Sequence, residues 1–283
     1  MKIACFSVAV MDFFPQQGKH FAGGNSLNQA IHYRQMEHQS AFVGALGTDE
    51  AGDRLEALLQ AESVDISHVH RINGRTASNQ IINDDAGERY GVEGSWDGGV
   101  YDNFELGEAD WEYISNFDVW STHVNCPSYL SALERKNKSQ FMSVDFLHLK
   151  DYDLLEKSLR VVDIVYFGGT ADMVDDLTRI AKANRGLLVL TLGAEGSIAF
   201  EGNRSYTQKA LPIDKVIDTT GCGDAFQSAC TATYFNTKDI RASLLAGAEL
   251  GRKAASSYGG SPEKSSPMGT HDQTQVKRKP NHH

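Results

Sequence analysis

The stretch Asp218-Thr219-Thr220-Gly221-Cys222-Gly223-Asp224-Ala225-Phe226 carries most of the reading. It follows a segment that reads as extended, Asp214 to Ile217, and opens an apolar helical run, Gly223 to Phe235. Gly221 and Gly223 let the backbone approach a ligand closely. A helix start leaves unpaired N–H groups and a partial positive charge, which suits phosphate oxygens. Asp224 would repel a phosphate, so its place there needs another reason. A carboxylate beside an anion hole makes sense if it takes a proton from a hydroxyl attacking the phosphate. The plainer alternative is a glycine turn with Asp224 as helix cap. This stretch alone leaves the two readings level.

A second strand-to-helix junction lies upstream, at Gly23-Gly24-Asn25-Ser26-Leu27-Asn28. Its paired glycines again permit close approach. Asn25 and Asn28 sit one helical turn apart and can present amides on one face. Amides both donate and accept, which suits sugar hydroxyls. Asp12 lies just past the first strand, where ligands gather in parallel sheets, and could accept bonds from two hydroxyls. Capping for Asn25 and a turn role for Asp12 stay open. Thr191-Leu192-Gly193-Ala194-Glu195-Gly196-Ser197 joins two strands and has the look of a nucleotide-edge loop, though such turns are common.

Outward from these junctions, apolar β-rich runs alternate with helical patterns. Strands are expected at Ile3–Val10, Ser40–Leu46, Phe117–Thr122, Gln140–Asp145, Val161–Phe167 and Leu187–Leu192, with a short one at Ser197–Phe200. Helices are expected at Asn25–Met36, Glu50–Ala61, Pro127–Lys136, Asp151–Leu159 and Ala171–Ala183, and at Lys238–Ser257 after Gly223–Phe235. This alternation implies a mostly parallel sheet covered on both faces. Phe13–Ala22 and Thr76–Val92 break the rhythm. They read as short strands and turns forming a small antiparallel flap or lid, or as surface loops. The expected organisation is one α/β domain over 1–260, with the lid at about 12–22 and 76–94, and a disordered polar tail at 261–283.

The chain has 283 residues and a net charge of −10, with 37 acidic and 27 basic side chains. That balance excludes a broad basic surface for nucleic acid or an anionic membrane. It does not exclude one anionic ligand held locally. No apolar run approaches the roughly 20 residues of a membrane span. The N-terminus carries no recognisable secretory signal, and Cys5, Cys126, Cys222 and Cys230 lack metal-type spacing. A cytoplasmic protein with free thiols is expected. No G-x-G-x-x-G follows the first strand, which speaks against a Rossmann dehydrogenase.

Residues 218–226 resemble the C-terminal D-T-x-G-A-G-D signature of the ribokinase-like (PfkB) carbohydrate kinases. Gly23-Gly24-Asn25-Ser26-Leu27-Asn28 resembles their N-terminal G-G-x-x-x-N motif, and Gly44 to Val69 follows their course. The resemblance covers roughly residues 1–260. Within the family the chain is most similar to the fructoselysine 6-kinase subgroup, through Val64–His70, Thr191–Phe200 and Val216–Thr219. It implies a three-layer α/β/α sandwich with a β lid, and ATP-dependent phosphorylation of a primary hydroxyl on a sugar or sugar-amine. It places Asp224 as the catalytic base and Gly221, Cys222 and Gly223 as the anion hole. Asp12, Gly23, Gly24, Asn25 and Asn28 fall on the sugar side, and Thr191, Gly193 and Gly196 on the ATP loop. Asp218 and Thr220 fall where many relatives bind a monovalent cation such as K+. Mg2+ and a homodimer through the lid are implied as well.

Two departures stand out. The family's N-x-x-E motif, which helps organise hydrated magnesium, is replaced by Gly168-Gly169-Thr170-Ala171-Asp172-Met173. Magnesium is then expected to be held by ATP phosphates and water, with Asp172 either a substitute or a surface acid. Cys222 replaces the usual Ala, either as a reactive thiol at a helix start or as a buried inert one. The missing motif also leaves a second function open, a non-catalytic sugar or nucleotide sensor.

Overall fold

The computed structural model describes residues 1–260. The tail expected at 261–283, with Lys277-Arg278-Lys279, lies outside the described residues. The chain runs β1 (Lys2–Phe6), β2 (Val10–Phe14), β3 (Lys19–Gly23), α1 (Asn25–Gln35), β4 (Gln39–Gly47), α2 (Glu50–Ala61), β5 (Val69–Ile72), β6 (Ser78–Asn83) and β7 (Arg89–Gly91). It continues with α3 (Glu108–Ile114), β8 (Val119–His123), α4 (Tyr129–Arg135), β9 (Phe141–Asp145), α5 (Tyr152–Leu159), β10 (Ile164–Gly168) and α6 (Val174–Ala183). It ends with β11 (Leu187–Thr191), β12 (Ser197–Glu201), β13 (Arg204–Gln208), α7 (Cys222–Thr237) and α8 (Ile240–Ala254).

The main sheet has nine strands in the order β13-β12-β11-β10-β9-β8-β1-β4-β5. It is parallel from β5 to β11, and β12 and β13 add an antiparallel edge. Successive residues of one strand face opposite sides, and the core divides accordingly. Ala4 and Phe6 pack with Trp111, Leu133, Leu155 and Ile180 from α3, α4, α5 and α6. Ile3 and Cys5 pack with Leu27, Leu55, Phe226 and Leu244 from α1, α2, α7 and α8. The result is the expected three-layer α/β/α sandwich.

The second sheet, β3-β2-β6-β7, is the expected lid as a folded unit. It is not purely antiparallel, because β2 pairs parallel with β6 through Met11, Asp12 and Phe13. The strand expected over Ile3–Val10 is in fact two, broken at Ser7–Ala9. There the chain leaves the core sheet, and Val8 C=O accepts the Leu27 N–H at 3.4 Å. Gly24 has φ 100 and sits against that break, with a Cβ position only 2.6 Å from Val8 O. Only glycine fits this turn into α1.

Other differences have local causes. Asp214–Ile217 is not a strand; Ile217 N–H donates to Ala255 C=O at 2.8 Å, so the segment packs against the end of α8. Lys238 is left-handed (φ 56) and ends α7, and the Asp239 side chain caps α8 through Ala242 N–H. The elements β5, β13 and α3 had no sequence expectation. Among the described residues, no helix is long and apolar enough to cross a membrane.

Candidate active site

The two glycine junctions of the sequence meet because α1 and α7 pack side by side on one face. A buried pair, Gln29 Nε2 to Gln227 Oε1 at 2.8 Å, ties them together. Nearer their N-termini, Asn28 Nδ2 donates to Asp224 Oδ2 at 2.7 Å and Asn25 Nδ2 to Asp224 Oδ1 at 2.9 Å. Each oxygen of the Asp224 carboxylate is thus gripped by one amide. Asn25 is not a cap, since Gly24 occupies the N-cap position. Asp224 does not cap either: it lies inside the first turn of α7, whose N-cap is Gly221 at φ 74.

Removal of water around the carboxyl pushes the Asp224 pKa up to about 7. The Asn28 hydrogen bond and the Arg89 charge pull it down, and neighbouring Asp145 pushes it up. Asp145 ends β9 and shares the Asn25 amide at 3.1 Å. It is buried, and burial raises its pKa as well. Sequence reading missed Asp145. Its one signal was position, an acid at the carboxyl end of a core strand, as for Asp12.

The start of α7 is open at Gly223, while Gly221 lies against Gly260. Cys222 N–H donates to Thr219 C=O at 3.2 Å, so one of the three expected anion-hole donors is already engaged. Gly221 and Gly223 N–H have no acceptor among the described residues. A Cβ built on Gly223 would meet nothing within 4 Å, so space for a ligand exists there. The Cys222 thiol is not activated by the helix start. Burial, with Asp218, Glu88 and Asp224 nearby, pushes its pKa up to about 12.

Asp12 lies in the lid strand β2 and is 6% exposed. Burial raises its pKa to about 7, with Arg89 opposing and Asp218 adding to the rise. Gly23 is what makes room for it, because a Cβ there would stand 2.3 Å from Asp12 Oδ2. Asn25 Oδ1 and Asn28 Oδ1 are buried acceptors without a partner among the described residues. Arg89 opens β7 and lowers the pKa of Asp12, Asp145 and Asp224 alike, so its charge bears on the whole acidic cluster. It too escaped the sequence reading.

Thr191, Gly193 and Gly196 fall at the far end of β11. The Thr191 hydroxyl turns back onto Phe167 C=O at 3.3 Å. Gly193 is exposed, with open space where a side chain would stand. Gly196 serves packing, since a Cβ would lie 2.1 Å from Gln208 O. Asp172 is exposed and accepts from the Thr170 hydroxyl, which is the surface-acid reading. Asp218 and Thr220 are buried and bonded to each other, through Thr220 N–H at 3.0 Å and its hydroxyl at 2.7 Å.

Comparison with known proteins adds independent findings. The model of the pfkB family carbohydrate kinases matches residues 12–266. The chain is 28% identical to the fructosamine kinase FrlD of Bacillus subtilis, over 92% of each sequence. It is 29% identical to the fructoselysine 6-kinase of Escherichia coli, over 76% of this chain and 82% of that one. Among solved structures, Arabidopsis thaliana ribokinase complexed with ribose and ATP superposes with a TM-score of 0.77 at 19% identity, covering 91% of this chain and 93% of that one. Vibrio cholerae fructokinase in its fructose, ADP and calcium-bound form gives 0.73 at 22%, covering 92% and 94%.

Proposed function

Because this chain belongs to the pfkB family of carbohydrate kinases, we propose that it transfers the γ-phosphoryl group of ATP to the 6-hydroxyl of a fructosyl amine, fructoselysine first. The class, a phosphotransferase acting on a sugar hydroxyl, follows from the family. The substrate is the finer reading, supported by the fructosamine and fructoselysine kinases among its relatives. The observation that carries the mechanism is the Asp224 carboxylate, held by two amides at an open helix start.

The sugar binds between the lid and α1. Asp12 accepts from two hydroxyls. With their Nδ2 atoms turned to Asp224, Asn25 and Asn28 keep Oδ1 free to accept further hydroxyl protons. Asp224 then takes the proton of the attacking hydroxyl. Its pKa near 7 suits a base working at neutral pH. Gly221 and Gly223 N–H, at the positive end of α7, face the transferred phosphoryl. ATP lies along Thr191 and Gly193. Magnesium bound with ATP would supply positive charge against the phosphates, and Asp145, the buried carboxylate beside Asp224, is the residue that would hold its water. The lid keeps water from taking the phosphoryl group.

The ammonium of a lysine moiety calls for an acid near the lid. Asp97 is paired with Arg75 at 3.3 Å, which leaves exposed Glu93 for that role. On the lid, the paired residues Ile82 and Tyr90 are 38% and 50% exposed, a surface suited to a second copy of the chain. Light scattering on a size-exclusion column tests the dimer.

ADP release across a panel of fructose, ribose, fructoselysine and other fructosyl amino acids tests the substrate. The highest kcat/KM is expected on fructoselysine. Equal or better turnover of free fructose refutes that choice, and no turnover of any sugar refutes the kinase mechanism.

A further inference from the structure

Asp218 is fully buried, and four donors converge on its carboxylate. Thr220 supplies two, at 3.0 Å and 2.7 Å, and Gly259 N–H supplies one at 2.9 Å. The fourth comes from the lid, where Asn83 Nδ2 donates to Oδ1 at 2.8 Å. A carboxylate offers about four lone-pair directions. Three of these donors fall on Oδ1, so a monovalent cation could reach that oxygen only by displacing one of them, and at Oδ2 it would share the oxygen with the Gly259 N–H, whose hydrogen faces it with the wrong polarity. The donor set around Asp218 therefore does not fit the cation that the family resemblance implies.

Asn83 is held where it stands. Gln16, in the β2–β3 turn, clamps its main chain in both directions: Asn83 N–H donates to Gln16 Oε1 at 2.8 Å, and Gln16 Nε2 donates to Asn83 C=O at 2.7 Å. The turn after Asn83 then rests on the phosphate-side loop. Thr219 N–H donates to Gly87 C=O at 3.1 Å, and Arg89 N–H donates to the Thr219 hydroxyl at 3.0 Å. That hydroxyl donates in turn to Glu88 at 3.0 Å. Gly87 is buried in this seat, and a Cβ there would press on Val216 at 3.0 Å.

We propose that Asn83 is a positioning residue that takes the place of a monovalent cation at Asp218, so that lid closure, rather than ion binding, fixes the loop facing the phosphate. The proposal rests on the sugar-kinase reading above. The chain of contacts is short. The seated lid places Asn83 on Asp218, Asp218 holds Thr220, and Thr220 leads into Gly221, where α7 begins with its N–H groups open. The phosphate site is then complete only while the lid covers the sugar, which disfavours transfer to water.

The test compares wild type with Asn83→Ala in potassium chloride and in tetramethylammonium chloride at equal ionic strength, by kinetics on the best sugar and by melting temperature with ADP. Wild type is expected to be indifferent to the cation. Asn83→Ala should lose about tenfold in kcat/KM, the usual worth of a hydrogen bond to a charged group. Potassium, but not tetramethylammonium, should restore part of that loss and raise the variant's melting temperature more than that of wild type. If Asn83→Ala does not fold, Asn83→Ser, which lacks the reach to Asp218, should show the same potassium response. Strong potassium activation of wild type overturns the proposal. So does a variant whose kinetics or melting temperature responds to potassium as wild type does. An enzyme inactive on every sugar refutes the kinase reading instead, and the melting comparison still decides the role of Asn83.

Discussion

The junction at 23–28 and the junction at 218–224 look alike in sequence, each a pair of glycines opening a helix, yet they do opposite work. The first is closed. Gly24 is wedged against Val8 and Ala9, and α1 presents buried amides. The second is open at Gly223 and offers an acid with free N–H groups beside it. In the proposed mechanism one junction orients and the other reacts. Neither is complete alone, because the carboxylate of the second is held by the amides of the first.

Removing the grip should hurt most. Hydrogen bonds to a charged group are worth roughly 1.5–3 kcal/mol each. The double variant Asn25→Ala/Asn28→Ala should therefore lose at least about a hundredfold in kcat/KM, while a far-UV spectrum like that of wild type shows that α1 persists. An unimpaired double variant would break the division of labour. Gly23→Ala places a methyl on Asp12 and should raise the sugar KM about tenfold, about 1.4 kcal/mol, while the KM for ATP holds; equal rises in both would point to general misfolding.

The pH profile sharpens the comparison further. If Asp224 is the base it works as carboxylate, so kcat/KM should fall as pH drops through about 7, its raised pKa. Arg89 lowers that pKa, so Arg89→Met should move the acid limb to higher pH. A limb that stays put would show that the charge of Arg89 does not reach the base. The smallest effect belongs to Cys222→Ala. The thiol is protonated at neutral pH, so turnover should stay within about twofold, under 0.5 kcal/mol, and wild type should resist alkylation at pH 7.

The sandwich was legible because it repeats a local pattern. The helix Glu50–Ala61 matches its expected bounds, and strands such as Leu187–Thr191 do so within a residue. The exceptions depend on contacts distant in sequence. The break at Ser7–Ala9 follows from Gly24, and Asp214–Ile217 pairs with the end of α8 instead of a strand. At the candidate site, glycine and acid spacing pointed to 23–28 and 218–224. It could not reveal Asp145, Arg89 or Asn83. Each is an ordinary polar residue locally, and its place in the cluster comes from β9 or from the lid folding back.

Asp224→Asn tests the central claim most directly, through kcat on fructoselysine alongside ATP affinity by calorimetry. A positioned base is worth about 10²–10⁴-fold, so turnover should drop by that much while ATP binds nearly as well as before. A variant that turns over like wild type would contradict the assignment of Asp224 as the base.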